Sequence, residues 1–186
     1  MGCNKALIEF GGRRLIQAAV DRLAGLFPEV LIIANDPAPY AYLGVKIVPD
    51  LIPDSGSLGG LYTGLSVASH QKGFFVACDM PFLNRDLIAL LVREAEGWDV
   101  VVPRVAGELQ PMHAVYAKSC LPHMLEAITS GRLKIASFFP KVKVKTVEEP
   151  ALRAVDPELL GLMNLNTPLD LERAEAIRQR RASPAA

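Results

Sequence analysis

Phe74-Phe75-Val76-Ala77-Cys78-Asp79-Met80-Pro81 is the run from which the architecture can be read. An unbroken apolar stretch of this length reads as a strand buried on both faces, and such strands belong to sheets covered by helices on both sides. Asp79 ends the run. Pro81 cannot extend a ladder, and it biases Met80 toward extended backbone. A carboxylate is thereby fixed on a stiff turn just beyond a strand.

Outward from this run the same pattern repeats. Val30-Leu31-Ile32-Ile33-Ala34 reads as a second buried strand, stopped by Asn35-Asp36-Pro37, and 45–48 as a weaker one ending at Pro49-Asp50. Leu15, Ala19, Val20, Leu23 and Leu26 or Phe27 form the buried stripe of a helix. A second helix is predicted over 59–69. Downstream come a helix over 84–96, a strand over 99–103, a hairpin through Gly107, a strand over 112–117 and a helix over 119–129. Strands over 142–147 and 161–165 and a closing helix over 169–180 complete the reading. Strands alternating with helices predict an α/β domain of three layers, α/β/α, around an open and mostly parallel sheet. The hairpin adds one antiparallel strand. One domain over 1–177 is expected, with 178–186 as a frayed tail.

The chain has 186 residues, 51% hydrophobic and 22% charged, with mean hydropathy +0.25, too apolar for a disordered chain. Twenty Lys+Arg balance twenty Asp+Glu. That balance argues against a general nucleic-acid coat or a polybasic membrane patch. Cys3, Cys78 and Cys120 match neither a disulfide framework nor a zinc ligand set. No apolar run approaches the ~18 residues of a spanning helix, and the first residues carry no apolar signal region. The expectation is a cytoplasmic protein with reduced thiols and neither a nucleic-acid nor a membrane partner.

In open α/β sheets, ligands bind beyond the carboxyl ends of the strands. Here three strands end in Asn35, Asp50 and Asp79, which can share one crevice or simply form turns, as Asx residues do well. Asp79 suits Mg²⁺, which takes one or two carboxylates and completes its shell with water and substrate phosphates. Lys5, the one lysine in the first forty residues, stands near Gly2 and Gly11-Gly12, and suits a phosphate or is merely solvated. Ser55-Gly56-Ser57-Leu58-Gly59-Gly60 admits a nucleobase or phosphate near backbone, or is a loop and helix cap.

Five motifs occur in order: Met1-Gly2-x-x-Lys5-Ala6-Leu7, Gly56-x-Leu58-x-Gly60, Cys78-Asp79-x-Pro81-Phe82, Gln110-Pro111-x-His113-Ala114-Val115-Tyr116 and Asn164-x-Asn166-Thr167-Pro168. Together, from Met1 to about Ile177, they resemble the MobA-type nucleotidyltransferases, the molybdenum cofactor guanylyltransferases. The resemblance implies a Rossmann-like nucleotidyltransferase fold. It also implies Mg²⁺-dependent transfer of GMP from GTP to the terminal phosphate of molybdenum-bound molybdopterin, with release of pyrophosphate. A protein that takes part in cofactor hand-over is implied as well. Carried over by position, Lys5 contacts the triphosphate, Asp50 the nucleotide and Asp79 the metal, with Lys5 and Asp79 catalytic. Asn35 is placed at the base or ribose, although the position two before it, polar in some members, is Ile33 here. Asn166 is placed at the metal or product phosphates. Gln110 and His113 are placed on a strand facing the second substrate, the alternative for His113 being a core or wall residue.

Family members open with an apolar strand and a Leu-Ala-Gly-Gly loop, which this sequence does not contain. The expectation is a fold whose first strand is missing, so that an anion cradle is lost and two neighbouring strands lack a shared ladder partner. Met1 then reads as an internal methionine. Two further readings stand beside guanylyl transfer. One is a related transferase using CTP or another small phosphate acceptor, with base choice near Gly56–Gly60; the other is a truncated, inactive binding domain.

Overall fold

The computed structural model describes residues 4–182. The Met1-Gly2 part of the first motif and Cys3 lie outside them. A short hairpin, β1 (Glu9–Phe10) and β2 (Arg13–Arg14), leads into α1 (Leu15–Ala24), and β3 (Leu31–Ile33) and β4 (Lys46–Val48) follow. Next come α2 (Gly56–Val67), β5 (Lys72–Val76), α3 (Arg85–Arg93), β6 (Val100–Val105), β7 (Glu108–Leu109) and β8 (His113–Ala117). The chain closes with α4 (Leu121–Thr129), β9 (Val144–Glu148), α5 (Glu149–Val155) and α6 (Pro168–Ala182). Among the described residues, no helix is long and apolar enough to cross a membrane.

The three layers are as expected, but the sheet is divided. β3 and β4 pair in parallel as one two-stranded piece. In the other piece, β8 lies between β5 and β6 and is antiparallel to both, while β9 runs parallel to β6. β7 returns antiparallel on β6 through Ala106 and Gly107, both at positive φ, the backbone that a two-residue hairpin turn requires.

Packing explains the layers. On one face, Leu58, Leu61 and Leu65 of α2 are fully buried with Val100, Val102, Ala114, Tyr116 and α4's Met124. Each such leucine contributes roughly 1.5–3 kcal/mol. On the other face, Leu87 and Leu91 of α3 meet Val101, Val115 and Leu152, and α1 places Ile16 and Val20 on Ile32. α2 packs against both pieces of the sheet because of Gly64. A Cβ there would stand 2.7 Å from the Phe75 ring and 3.4 Å from Ile33 Cγ1, so only glycine lets the helix lie so close to β3 and β5.

Some boundaries differ from expectation. Residues 161–165 form no strand: Leu159 turns at φ 54°, a single 3₁₀ turn follows at Leu160–Leu162, and Leu165 donates its N–H to Asp79 O. Leu159 and Leu162 are buried by packing on α3, and Leu165 by packing on Phe10, Leu15 and Ala174, not by a ladder. The tail expected from 178 begins inside α6, where Arg178 pairs with Glu175 and Arg181 with Glu158, both at 2.7 Å. α5 was not anticipated, although Pro150 in its first turn is a helix-start signal.

Candidate active site

Asp79 follows β5 by three residues, and its turn is nailed down from beneath. Met80 and Leu83 are buried against Ala19 and Ile88, and the carbonyl of Asp79 accepts the N–H of Leu165 at 2.9 Å. This places the carboxylate at the edge of a cavity of about 840 Å³. Lys5 reaches it from the opposite end of the sequence, with Nζ 3.1 Å from Asp79 Oδ2 and 2.8 Å from Asn166 Oδ1. Lys5 is itself held. Asn4 caps its 3₁₀ turn by accepting from Ala6 N, and Asn4 Nδ2 donates to the Tyr40 hydroxyl at 2.8 Å. Asp79 Oδ1 is buried and has no hydrogen-bond partner among the described residues. A desolvated anionic oxygen without a partner is costly, so this atom is poised for a cation or donor.

Asp50 stands across the same cavity, after β4. Its N–H donates to Asn35 Oδ1 at 2.8 Å, and Asn35 Nδ2 donates to Asp50 Oδ2 at 3.1 Å. The ends of β3 and β4 are thus tied side chain to backbone. Asp50 Oδ1, like Asp79 Oδ1, is buried and unpartnered among the described residues. Thr63 Oγ1 accepts from Leu51 N at 2.9 Å and pins the segment that carries Asp50 onto α2. A Cβ at Gly60 would lie 3.8 Å from Asp50 Oδ1, so the glycine keeps that side of the carboxylate open.

Of the residues expected in one site, the structure gathers Lys5, Asp79 and Asn166 in one group and Asn35 and Asp50 in another, and Asp79 and Asp50 line one cavity. Gln110 and His113 join neither. Gln110 lies in the turn before β8 and not on the strand. His113 is fully buried, its ring set edge-on to Phe74 at 4.9 Å, with both ring nitrogens unpartnered among the described residues. Burial pushes its pKa down to about 3. It sits in the core behind Phe74 and does not itself line the cavity. Burial, then the neighbouring Asp79 charge, raises the Cys78 thiol, which speaks against a nucleophilic role. Among the described residues, no cluster of three or more His, Cys, Asp or Glu side chains is placed to hold a metal ion.

Asp170 was missed. Its Oδ2 accepts from Asn166 N, Thr167 N and Thr167 Oγ1, while Thr167 Oγ1 accepts from Asp170 N at 3.2 Å. This reciprocal cap fixes the loop that presents Asn166 to Lys5. Thr167-x-x-Asp170 at the start of α6 is a capping-box pattern, and that pattern was the available signal.

A three-layer α/β/α domain with a lysine, two carboxylates and two amides beyond its strand ends belongs to the class of nucleotide-handling α/β proteins. Residues 1–143 match the model of the MobA-like NTP transferase domain. A probable molybdenum cofactor guanylyltransferase of Pelotomaculum thermopropionicum is 38% identical over 95% of this chain and 86% of its own length. A molybdenum cofactor guanylyltransferase of Desulfosudis oleivorans is 37% identical over 94% and 87%. The crystal structure of molybdopterin-guanine dinucleotide biosynthesis protein A from Archaeoglobus fulgidus superposes with a TM-score of 0.84 at 27% identity, over 96% of this chain and 92% of that one. The chain belongs to the MobA-like NTP transferase family, and it is a nucleotidyltransferase.

Proposed function

We propose that this protein transfers GMP from GTP to the terminal phosphate of molybdenum-bound molybdopterin, releasing pyrophosphate. The observation that carries the reading is one cavity lined by both Asp79, which Lys5 pairs with while also bonding Asn166, and Asp50, which Asn35 bonds. The names of the relatives support guanylyl transfer in particular.

In this reaction an oxygen of the acceptor phosphate bonds to the α-phosphorus of GTP, and the bond from that phosphorus to the bridging oxygen of the leaving pyrophosphate breaks. Both reactants are anionic, and the attacking oxygen already carries charge. Positioning and charge neutralisation are therefore the main tasks, and no side-chain nucleophile is required. The Lys5 ammonium supplies positive charge to the triphosphate, and Asn166 and Asp79 hold it in place. Asp50 and Asn35 take the nucleoside. Asp79 would hold Mg²⁺ through Oδ1, the buried oxygen without a partner, and a hard oxygen ligand fits that ion. Bound there, Mg²⁺ supplies charge neutralisation and a template for the phosphates.

Calorimetric titration with GTP and CTP in Mg²⁺, followed by a pyrophosphate-release assay with molybdenum-bound molybdopterin, tests this reading. Preference for GTP by about tenfold, worth ~1.4 kcal/mol, is expected, together with acceptor-dependent release. Equal binding of CTP, or release independent of the acceptor, would overturn it.

A further inference from the structure

Asp156 is the one acidic residue buried as a whole among the described residues, and the reaction above does not use it. It lies between α5 and the 3₁₀ turn at Leu160–Leu162, and it does not line the cavity. Burying a carboxyl is costly unless hydrogen bonds compensate it, so its partners are informative. Asp156 Oδ2 accepts the N–H of Gly161 at 2.7 Å in the interior, and Asp156 O accepts the N–H of Leu159 at 2.8 Å. Leu162 N then donates to Leu159 O, and Met163 N to Leu160 O. Between these bonds Leu159 stands at φ 54°, a conformation a leucine keeps only where its surroundings over-determine it. The turn is specified bond by bond.

The same turn is pressed onto the start of α3. A Cβ at Gly161 would lie 3.0 Å from each of Asn84 Cβ, Asp156 Oδ2 and Leu87 Cδ2, so the backbone there is flush with the helix. Asn84 caps α3 by accepting from Asp86 N and Leu87 N, and its Nδ2 donates to Val155 O at 3.5 Å. Two segments of the site leave this one point. Back along the chain from Asn84 the buried Leu83 and Met80 lead to Asp79, and onward from Gly161 the chain leads to Asn166. They meet again where Leu165 N donates to Asp79 O at 2.9 Å, and where Lys5 Nζ bridges Asp79 Oδ2 and Asn166 Oδ1.

We propose that Asp156 is a positioning residue for nucleotidyl transfer, a role that rests on the reading of Lys5, Asp79 and Asn166 as the phosphate-handling group. By holding Gly161 against Asn84, it fixes the span between Asp79 and Asn166 at the width one ammonium bridges. Lys5 is thereby kept between two acceptors, where the triphosphate meets it. Without the Asp156 acceptor the Gly161 N–H is left unpartnered in the interior, the turn relaxes and the span is no longer held.

A double-mutant cycle tests this, together with a measurement that uses no nucleotide. Asp156→Ala is expected to lower kcat for pyrophosphate release about thirtyfold while the Kd for GTP stays within about twofold. Asp156→Asn keeps an oxygen acceptor and is expected to restore kcat to within about threefold of the wild type. In the Lys5→Met background, Asp156→Ala is expected to cost less than about twofold more, because the bridge it positions is already gone. Without nucleotide, amide exchange at Leu165 is expected to quicken about tenfold in Asp156→Ala and to stay near the wild-type rate in Asp156→Asn. The same loss of kcat in both backgrounds would mark a general structural role and overturn the proposal. So would unchanged exchange at Leu165, or an asparagine variant as impaired as the alanine one. Should Asp156→Ala not fold, Gly161→Ala shifts the same turn while keeping its hydrogen-bonding groups, and its loss of kcat must likewise vanish in Lys5→Met. If the wild type releases no pyrophosphate, it is the transfer reading that fails, and exchange at Leu165 still decides what Asp156 holds.

Discussion

Two carboxylates end two strands on opposite sides of one cavity, and their surroundings differ. Asp79 is paired with an ammonium, and that ammonium is also held by Asn166. Asp50 is paired with the Asn35 amide through both its carboxylate and its backbone N–H, with no cation in its hydrogen-bond set among the described residues. Each has one buried oxygen without a partner among the described residues. Attraction between charges grows steeply as water is excluded, so the side of the cavity with the lysine is the side that can handle phosphates and a cation. The other side offers neutral donors and a carboxylate acceptor, the chemistry that suits a nucleoside. The difference teaches a division of labour: charge at Asp79, recognition at Asp50.

The sharpest way to break that comparison is to neutralise each carboxylate in turn. Asp79→Asn is expected to lower the rate of pyrophosphate release by about a thousandfold, with Tm nearly unchanged, since a preorganised electrostatic contact is removed where charge is greatest. Lys5→Met follows, with about a hundredfold loss in kcat/KM and a weaker dependence of GTP binding on Mg²⁺. Asp50→Asn is expected to act chiefly on KM for GTP, by about tenfold, leaving kcat within a few-fold. If Asp50→Asn lowers kcat as far as Asp79→Asn does, the division of labour fails. Asp170→Ala removes the cap on the Asn166 loop, and should cost about 1 kcal/mol by denaturant titration with a few-fold loss of turnover.

The smallest effect on turnover is expected at His113, where the comparison is with the site as a whole. His113→Phe should leave activity unchanged and alter only the response of stability to pH. The folded protein holds this imidazole neutral down to about pH 3, from an ordinary value of 6.5. The unfolded chain binds the proton below about 6.5 and the folded chain does not, so stability is lost as pH falls from there toward 3. The slope is about 1.4 kcal/mol per pH unit, and it should flatten in the phenylalanine variant on urea titration across that range.

Much of this was legible because a buried strand in such a sheet is an apolar run, and 30–34, 74–78 and 112–117 are runs of that kind. Edges were less legible. β5 begins at Lys72 because its ladder with β8 starts at the Lys72–Ala117 pair, a choice made by the partner strand. Residues 161–165 read as a strand because hydrophobicity reports burial and says nothing about which backbone groups pair. Within the site, Asp79 announced itself through its strand and proline. Its meeting with Lys5, 74 positions away, and the meeting of Lys5 with Asn166, 161 positions away, have no local signal and came from family resemblance alone. For His113 the resemblance left a substrate contact and a core residue side by side, and its burial against Phe74 fits the core residue.

The most direct test of the central claim is GTP titration of the wild-type chain and of Asp79→Asn, each with and without Mg²⁺. Saturable binding by the wild type that Mg²⁺ strengthens by about tenfold, preference over CTP, and loss of the Mg²⁺ effect in the variant are expected. An undiminished Mg²⁺ effect in Asp79→Asn would contradict the claim.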